Sequence, residues 1–384
     1  MGRSHGEGTV YRKIDGNWRA QVTIDGQRLS FTAPTRKACA KWLQSILGQI
    51  EQGLTYDATR TTYGDYLDGW LRQKQTVLRI HTIEQYQRTI HKYILPGLKN
   101  VKLNELTSGR IQGLYDQLRQ QGVTPRAVQV VHAVIYGSLQ QALKLGIIGR
   151  NPADAVVKPA VVKREMRVWN ESQISKFLVA IQGQRNETLY RLALATGMRR
   201  GELIGLQWSD VDWLGKSIYV QRQVTQPDGG GFVFTSPKTA AGRRKINLGD
   251  GLIQAFREQY GRVQTLRAAI GKNWKENDLV FPSMVGTPID GYNLSKEFQE
   301  LAALAGVQKI RFHDLRHTAA SMMLNHGIPV IVVSRILGHS KPSITMDIYG
   351  HIIPGMQDQA AILMDQITTV VMFPISERIK RGDV

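Results

Sequence analysis

One cysteine, Cys39, stands among 384 residues. That excludes an internal disulfide and fits a reducing compartment. Its neighbours Ala38, Trp42, Leu43 and Ile46 make an apolar series at helical spacing, so the thiol reads as packed rather than reactive. Long apolar runs are also missing: no stretch of about 18 such residues occurs, which argues against a membrane-spanning helix. No apolar segment follows Met-Gly-Arg-Ser-His, so the N-terminus does not read as a signal peptide, and a cytoplasmic setting is expected. No segment is of low complexity, and the 42% of hydrophobic residues suffices for ordinary packed cores. Acidic residues are the minority, 31 against 50 Lys and Arg, for a net charge of +19. The excess is spread: nine basic against five acidic in residues 1–60, fourteen against six in 61–163, and twenty-seven against twenty beyond. A basic tail would concentrate the charge. A surplus on every part of the chain points to a polyanion as partner, since Lys and Arg displace counterions from phosphates.

The length allows two or three domains. Near the N-terminus, Trp18, Ala20, Val22 and Ile24 alternate with Arg19, Gln21 and Thr23, which is strand periodicity. Asp15-Gly16-Asn17 and Asp25-Gly26 are hairpin signals on either side, and Leu29-Ser30-Phe31 is a third short strand. A helix from about Thr35 carries Ala38, Trp42, Leu43, Ile46 and Ile50 to cover one face of this sheet, and Gly53–Arg60 reads as a linker. The other face, with Arg12, Lys13, Arg19 and Arg28 nearby, either enters a DNA groove as β-ribbons do or is plainly structural. Residues 62–150 read as a helical bundle: Thr62 with Asp65, Thr82, and Thr124 before Pro125 are helix starts, and Pro96-Gly97 and Gly146 are stops. An extended basic linker with Lys158, Lys163, Arg164 and Arg167 follows. Asn170 with Gln173 then opens a mostly helical region interrupted by one strand-rich insert near 217–248, in which Ile218 and Val220, then Ile246 and Leu248, alternate around a turn. A moderately apolar helix over about 357–371 precedes a basic tail.

Five short stretches in that last region stand out in combination. They are Ala195-Thr196-Gly197-Met198-Arg199-Arg200-Gly201-Glu202-Leu203, Ser236-Pro237-Lys238-Thr239, His313-Asp314-Leu315-Arg316-His317-Thr318, Leu337-Gly338-His339-Ser340 and Asp347-Ile348-Tyr349. Singly, each has a bland structural explanation. In this order and spacing they resemble the tyrosine recombinase, or phage integrase, family. Residues 165–384 resemble its catalytic domain with a C-terminal tail, 59–160 its helical core-binding domain, and 1–58 the arm-type DNA-binding domain of integrases. The expected fold is α+β and mainly helical: a three-stranded sheet with a helix, a helical domain, and a mixed, mostly α catalytic domain.

The resemblance implies a site-specific recombinase that breaks and rejoins DNA through a 3′-phosphotyrosine, integrating and excising a phage or mobile element. On this chain it assigns the nucleophile to Tyr349, ten residues after His339, and the two guanidinium clamps to Arg199 and Arg316. Lys238 takes the place of the general acid, His313 and His339 those of phosphate or proton partners, and Glu202 that of a supporting acid. The chemistry is consistent with these residue types. An aryl phosphate ester is about as reactive as the ester it replaces, and guanidiniums match charge building on nonbridging oxygens. Duplex DNA bearing core and arm sites is the expected partner, bound by a homotetramer, with a host DNA-bending protein and an excision factor left open. No metal, nucleotide or other cofactor is implied, and the host nucleoid is the expected location.

Other readings use the same residues. His313 and His317, at i and i+4, have zinc-pair spacing, but the intervening Arg316 would put a fixed cation beside the metal. His317 reads instead as a packed supporting residue. Tyr63, Tyr86, Tyr93 and Tyr115 fall on apolar helical faces, and Tyr260 and Tyr292 lack a histidine neighbourhood. A type IB topoisomerase would use the same chemistry without needing the N-terminal sheet. A nonenzymatic DNA-binding regulator would need none of the six catalytic candidates together.

Overall fold

The computed structural model describes residues 8–51, 55–161, 166–237, 239–350 and 361–368. The chain divides into two compact units, Met1–Lys163 and Arg164–Val384. The architecture is α+β and mainly helical. None of the described helices is long and apolar enough to cross a membrane.

In the first unit, β1 (Thr9–Arg12), β2 (Trp18–Ile24) and β3 (Gln27–Ala33) form an antiparallel sheet in sequence order. Asp25 and Gly26, both at positive φ, make the two-residue turn that sets Ile24 opposite Gln27. Helix α1 (Arg36–Glu51), started by Thr35 accepting from the Ala38 amide, lays Cys39, Leu43 and Ile46 on Ala20, Val22 and Ile24. Cys39 is buried, as its setting implied. Arg19 and Arg28 share the uncovered face, because Arg19 is in register with Thr32 and Arg28 with Thr23. Arg12 does not join them: it pairs with Trp18, one residue out of phase, and strand side chains alternate. Lys13 lies beyond the strand, ion-paired to Asp15 at 2.6 Å.

The expected linker Gly53–Arg60 is in part a helix, α2 (Tyr56–Arg60), capped by Thr55. The bundle continues with α3 (Tyr63–Lys74), α4 (Ile80–Thr89), a π-helical turn at Ile90–Ile94, α5 (Leu95–Leu98), α6 (Ser108–Gln120) and α7 (Pro125–Lys144). Thr62 and Thr124 cap α3 and α7 as their sequences suggested. One helix signal resolves differently. Helix α4 starts at Ile80, two residues before Thr82 and without a side-chain cap, because exposed first-turn N–H groups can be met by water. Pro96-Gly97 marks the end of the helical path, which stops at Leu98, one residue beyond; the π turn before it puts Pro96 in the first turn of α5, where a missing N–H costs nothing. Leu67, Ile94, Ile111, Val128, Val131 and Leu139 are among the fully buried core. Tyr63 and Tyr115 are buried there too, bonded to Ser138 (2.8 Å) and His132 (3.1 Å), and Tyr86 and Tyr93 pack against the same core.

The second unit opens with α8 (Glu171–Ala180), held by the Asn170–Gln173 capping box, followed by α9 (Glu187–Thr196) and α10 (Arg200–Ile204). The strand-rich insert comprises β4 (Val211–Asp212), β5 (Ser217–Val220), β6 (Gln223–Thr225), β7 (Val233–Thr235) and β8 (Arg244–Asn247). Here β4-β5-β8 form one sheet with Ile218 opposite Ile246, and β6-β7 form a hairpin. Helices α11 (Asp250–Ile270), α12 (Gly291–Leu304), α13 (Asp314–Asn325), α14 (Val330–Leu337) and α15 (Pro342–Tyr349) follow. Trp169, Phe177, Tyr190, Phe298 and Phe312 form the aromatic centre of the main core. A smaller core of Ala320, Leu324, Val333 and Leu337 binds α13, α14 and α15 together and seats Tyr349. Of the expected last helix, residues 361–368 are helical, with Ile362, Leu363 and Ile367 more than half exposed; Val370 lies outside the described residues.

Candidate active site

The loops and helix ends of the second unit bring most of the candidates to one cavity of about 320 Å³, lined by Arg199, His313, Arg316, His317, His339 and Tyr349. Each arrives for a local reason. Helix α9 ends on Gly197 at φ +63°, and a Cβ there would stand 2.6 Å from the Leu337 side chain. Only glycine satisfies both the backbone and the space. The turn delivers Arg199 as N-cap of the short α10 and presents the Gly197 carbonyl, which accepts from Arg316 Nη1 at 2.8 Å. His313 is the N-cap of α13 and Arg316 lies in its first turn, behind a loop locked by Asp314 accepting from the Arg311 backbone (2.8 Å) and guanidinium. Gly338, at φ +70°, ends α14 and turns the chain so that His339 faces the cavity, and its carbonyl accepts from Arg199 Nη2 at 3.4 Å. Tyr349 is the last residue of α15 and is 1% exposed.

Glu202 lies beneath the arginines, 1% exposed. It accepts from Arg199 Nη1 at 2.7 Å and from Arg244 Nη2 at 2.9 Å. Burial alone would raise its pKa, but the Arg244 and Arg199 guanidiniums hold it below the usual carboxylate value. Arg316 is 4% exposed, and its Nη2 is a buried nitrogen with no hydrogen-bond partner among the described residues. Burial, then the charge of Arg199, lowers its pKa to about 9, which leaves it a cation at neutral pH. Burial, then neighbouring cations, pulls His339 down to about 4; burial, then His317 and Arg316, does the same to His313. Both rings are therefore neutral at pH 7. His339 Nδ1 is bonded to the Thr345 hydroxyl at 2.7 Å, so a ring accepting there carries its proton on Nε2. Burial raises the Tyr349 hydroxyl to about 12, against the pull of Arg316.

Lys238 lies outside the described residues, as do Lys163 and Arg164; Thr239, next to Lys238, lines the cavity. Arg167 lines a second, open cleft of about 1430 Å³ with Arg200, Lys309, Arg311 and His313, and Lys158 is exposed on the first unit. One residue, Arg244, was missed by sequence reasoning, and the partner of another, His317, was not foreseen. Arg244 is 6% exposed in its side chain, donates to Glu202 and to the Ile336 and Gly242 carbonyls, and so ties the insert to α14. Its signal was a charge on the inward phase of a strand, two residues before buried Ile246. His317, read from the sequence as a packed or supporting residue with no partner named, bonds the Tyr349 hydroxyl through Nδ1 at 2.7 Å. The zinc reading gains nothing: among the described residues no group of three metal-ligating side chains forms, and the His313 and His317 rings stand edge to face 5.5 Å apart.

The model of the phage integrase family matches residues 167–354, and that of the phage integrase N-terminal SAM-like domain residues 62–119. The chain is 30% identical to the tyrosine recombinase XerC-like protein of Caldanaerobacter subterraneus subsp. tengcongensis, over 91% of this chain and 96% of that one. The chain belongs to the phage integrase family. It is a tyrosine recombinase, an enzyme of site-specific DNA recombination. The fold agrees. The Tn1549 transposon integrase, solved with transposon right end DNA, superposes with a TM-score of 0.68 at 20% identity, covering 80% of this recombinase and all of that chain. Lambda integrase, solved as a tetramer on a Holliday junction, superposes with a TM-score of 0.54 at 16% identity, covering 90% and 96%.

Proposed function

We propose that this recombinase cuts each DNA strand by attack of the Tyr349 hydroxyl on a backbone phosphate. The Tyr349 oxygen gives up its proton to a neighbouring base and bonds to phosphorus, the bond to the 5′ oxygen breaks, and the 5′ oxygen leaves with a proton from Lys238. Arg199 and Arg316 hold the nonbridging oxygens, His339 donates to one of them through Nε2, His313 assists at the phosphate, and Glu202 fixes Arg199. The observation that carries this reading is Arg316 Nη2, a buried guanidinium nitrogen without a partner beside the buried Tyr349. An unpaired buried donor is costly, and a phosphate oxygen would satisfy it. Rejoining is the same step in reverse, with the 5′ hydroxyl of the exchanged strand as attacker.

Residues 1–58 serve in this reading as the arm-type DNA reader, 59–160 as the core-binding domain and 165–384 as the catalytic domain. The enzyme acts as a homotetramer on two duplex sites, integrating and excising a mobile element, with a host bending protein and an excision factor as accessory partners. The DNA and tetramer assignments are supported by the complexes in which the Tn1549 and lambda integrases were solved. A nicked suicide substrate tests the chemistry. The native enzyme should be trapped on DNA in a denaturing gel, and Tyr349→Phe should bind the site and trap none. Trapping by the variant would move the nucleophile elsewhere.

A further inference from the structure

We propose that His317 is the group that orients the Tyr349 hydroxyl and takes its proton during strand cleavage. The inference rests on Tyr349 being the nucleophile and goes beyond that reading by naming the base. Nδ1 of His317 lies 2.7 Å from the Tyr349 oxygen, hydrogen-bond distance with no intervening water. The direction of that bond follows from burial. Tyr349 is 1% exposed, and among the described residues its hydroxyl makes no other hydrogen bond. A buried O–H must donate, so the phenol donates, Nδ1 accepts, and the ring's own proton sits on Nε2. A lone pair thus already points at the reacting atom. His313 makes no such bond to Tyr349 among the described residues, and His339 has Nδ1 engaged with Thr345.

The electrostatics make the transfer depend on DNA. Burial lowers the pKa of His317; Asp314 opposes that, while Arg316 and Arg311 add to it. His313, His339 and Tyr349 face the same ring or cavity. Without DNA, the base is neutral and the phenol holds its proton. A phosphate set against Arg316 offsets a cation that opposes an imidazolium at His317, so proton affinity moves to His317 when substrate is in place. The step balances: the Tyr349 oxygen–phosphorus bond forms, its proton passes to Nδ1, the bond to the 5′ oxygen breaks, and that oxygen is protonated by Lys238. On rejoining, His317 returns the proton to the departing phenolate.

The test uses the full-length enzyme on the suicide substrate, with DNA binding followed by mobility shift. His317→Ala should bind and cleave about 10²–10⁴-fold more slowly, the range for a positioned base, and added imidazole should restore part of the rate. His317→Asn keeps an acceptor oxygen near Nδ1 but cannot take a proton. It should bind normally, stay slow, and lose the wild-type fall in rate as pH drops through the histidine range. A substrate with sulfur at the 5′-bridging position, which leaves without a proton, should not rescue either variant, because the defect lies with the nucleophile. Native rates for His317→Ala would overturn the proposal, as would rescue by the sulfur substrate. Native rates for His317→Asn would reduce His317 to a positioning residue and overturn its role as base. Trapping by Tyr349→Phe in the same gels would instead overturn the underlying assignment of the nucleophile.

Discussion

Replacing Arg244 by alanine isolates the ion pair beneath the active site. Glu202 is 1% exposed and is held by Arg244, 6% exposed in its side chain, and by Arg199, 37% exposed in its side chain. Removing one partner of a buried pair costs about 3–5 kcal/mol, because the remaining charge is uncompensated. Arg199 stays in place, which puts the expected loss near the lower end, about 3 kcal/mol. In a unit of this size each kcal/mol shifts the melting temperature by about 2–4 °C, so Arg244→Ala should melt roughly 6–12 °C early. Circular dichroism of the full chain would measure it. The double variant Glu202→Ala with Arg244→Ala removes the orphaned carboxylate and should recover part of that loss, a coupling visible in a double-mutant cycle. Its cleavage rate should not recover, because Arg199 has lost the carboxylate that fixes it. A melting shift of Arg244→Ala within about 2 °C of the native enzyme, or strictly additive losses in the cycle, would refute the reasoning.

Three other outcomes are expected. Lys238→Ala should cleave about 10²–10⁴-fold more slowly and be rescued by a 5′-bridging sulfur, while Arg199→Ala and Arg316→Ala stay slow on that substrate; an unrescued Lys238→Ala would make Lys238 an electrostatic group rather than the acid. Deleting residues 1–58 should spare cleavage of an isolated core site and impair integration between full attachment sites, and equal integration would show the sheet has another role. Because the folded pKa values of His313 and His339 are lowered from 6.5 to about 4, the unfolded chain binds more protons between those values. Stability should fall as pH drops from about 6.5 towards 4, and less steeply in His313→Asn with His339→Asn; equal slopes in urea titrations at several pH values would contradict the burial argument.

Local chemistry made much of the fold legible. The alternation in Trp18–Ile24, the Asn170–Gln173 cap and the Thr124-Pro125 start each fix an element from residues next to one another, and each is present. The stop read at Pro96-Gly97 holds to within one residue, at Leu98, but nothing in Ile90–Ile94 announces the π turn before it. The same limit applies to the site. The five motifs pointed to Arg199, His313, Arg316, His339 and Tyr349, which share one cavity. Arg244 was missed, and the His317 pairing with Tyr349 was unforeseen, because both depend on partners 42 and 32 residues away, Glu202 and Tyr349, and pairings of that kind appear only once α10, β8, α13 and α15 are folded together.

The buried hydroxyl of Tyr349 also bears on the long intervals between productive encounters. A recombinase with net charge +19 is expected to meet far more DNA of the wrong sequence than of the right one, through salt-sensitive phosphate contacts that any duplex offers. On the proposed reading, a ready phenolate at Tyr349 would scar that DNA at random. Burial pushes the Tyr349 hydroxyl up to about 12, so it keeps its proton at pH 7, and the residue is 1% exposed. On the proposed reading, with Tyr349 as nucleophile, the wandering enzyme is harmless by default, and what the attachment site supplies is permission to react as well as affinity.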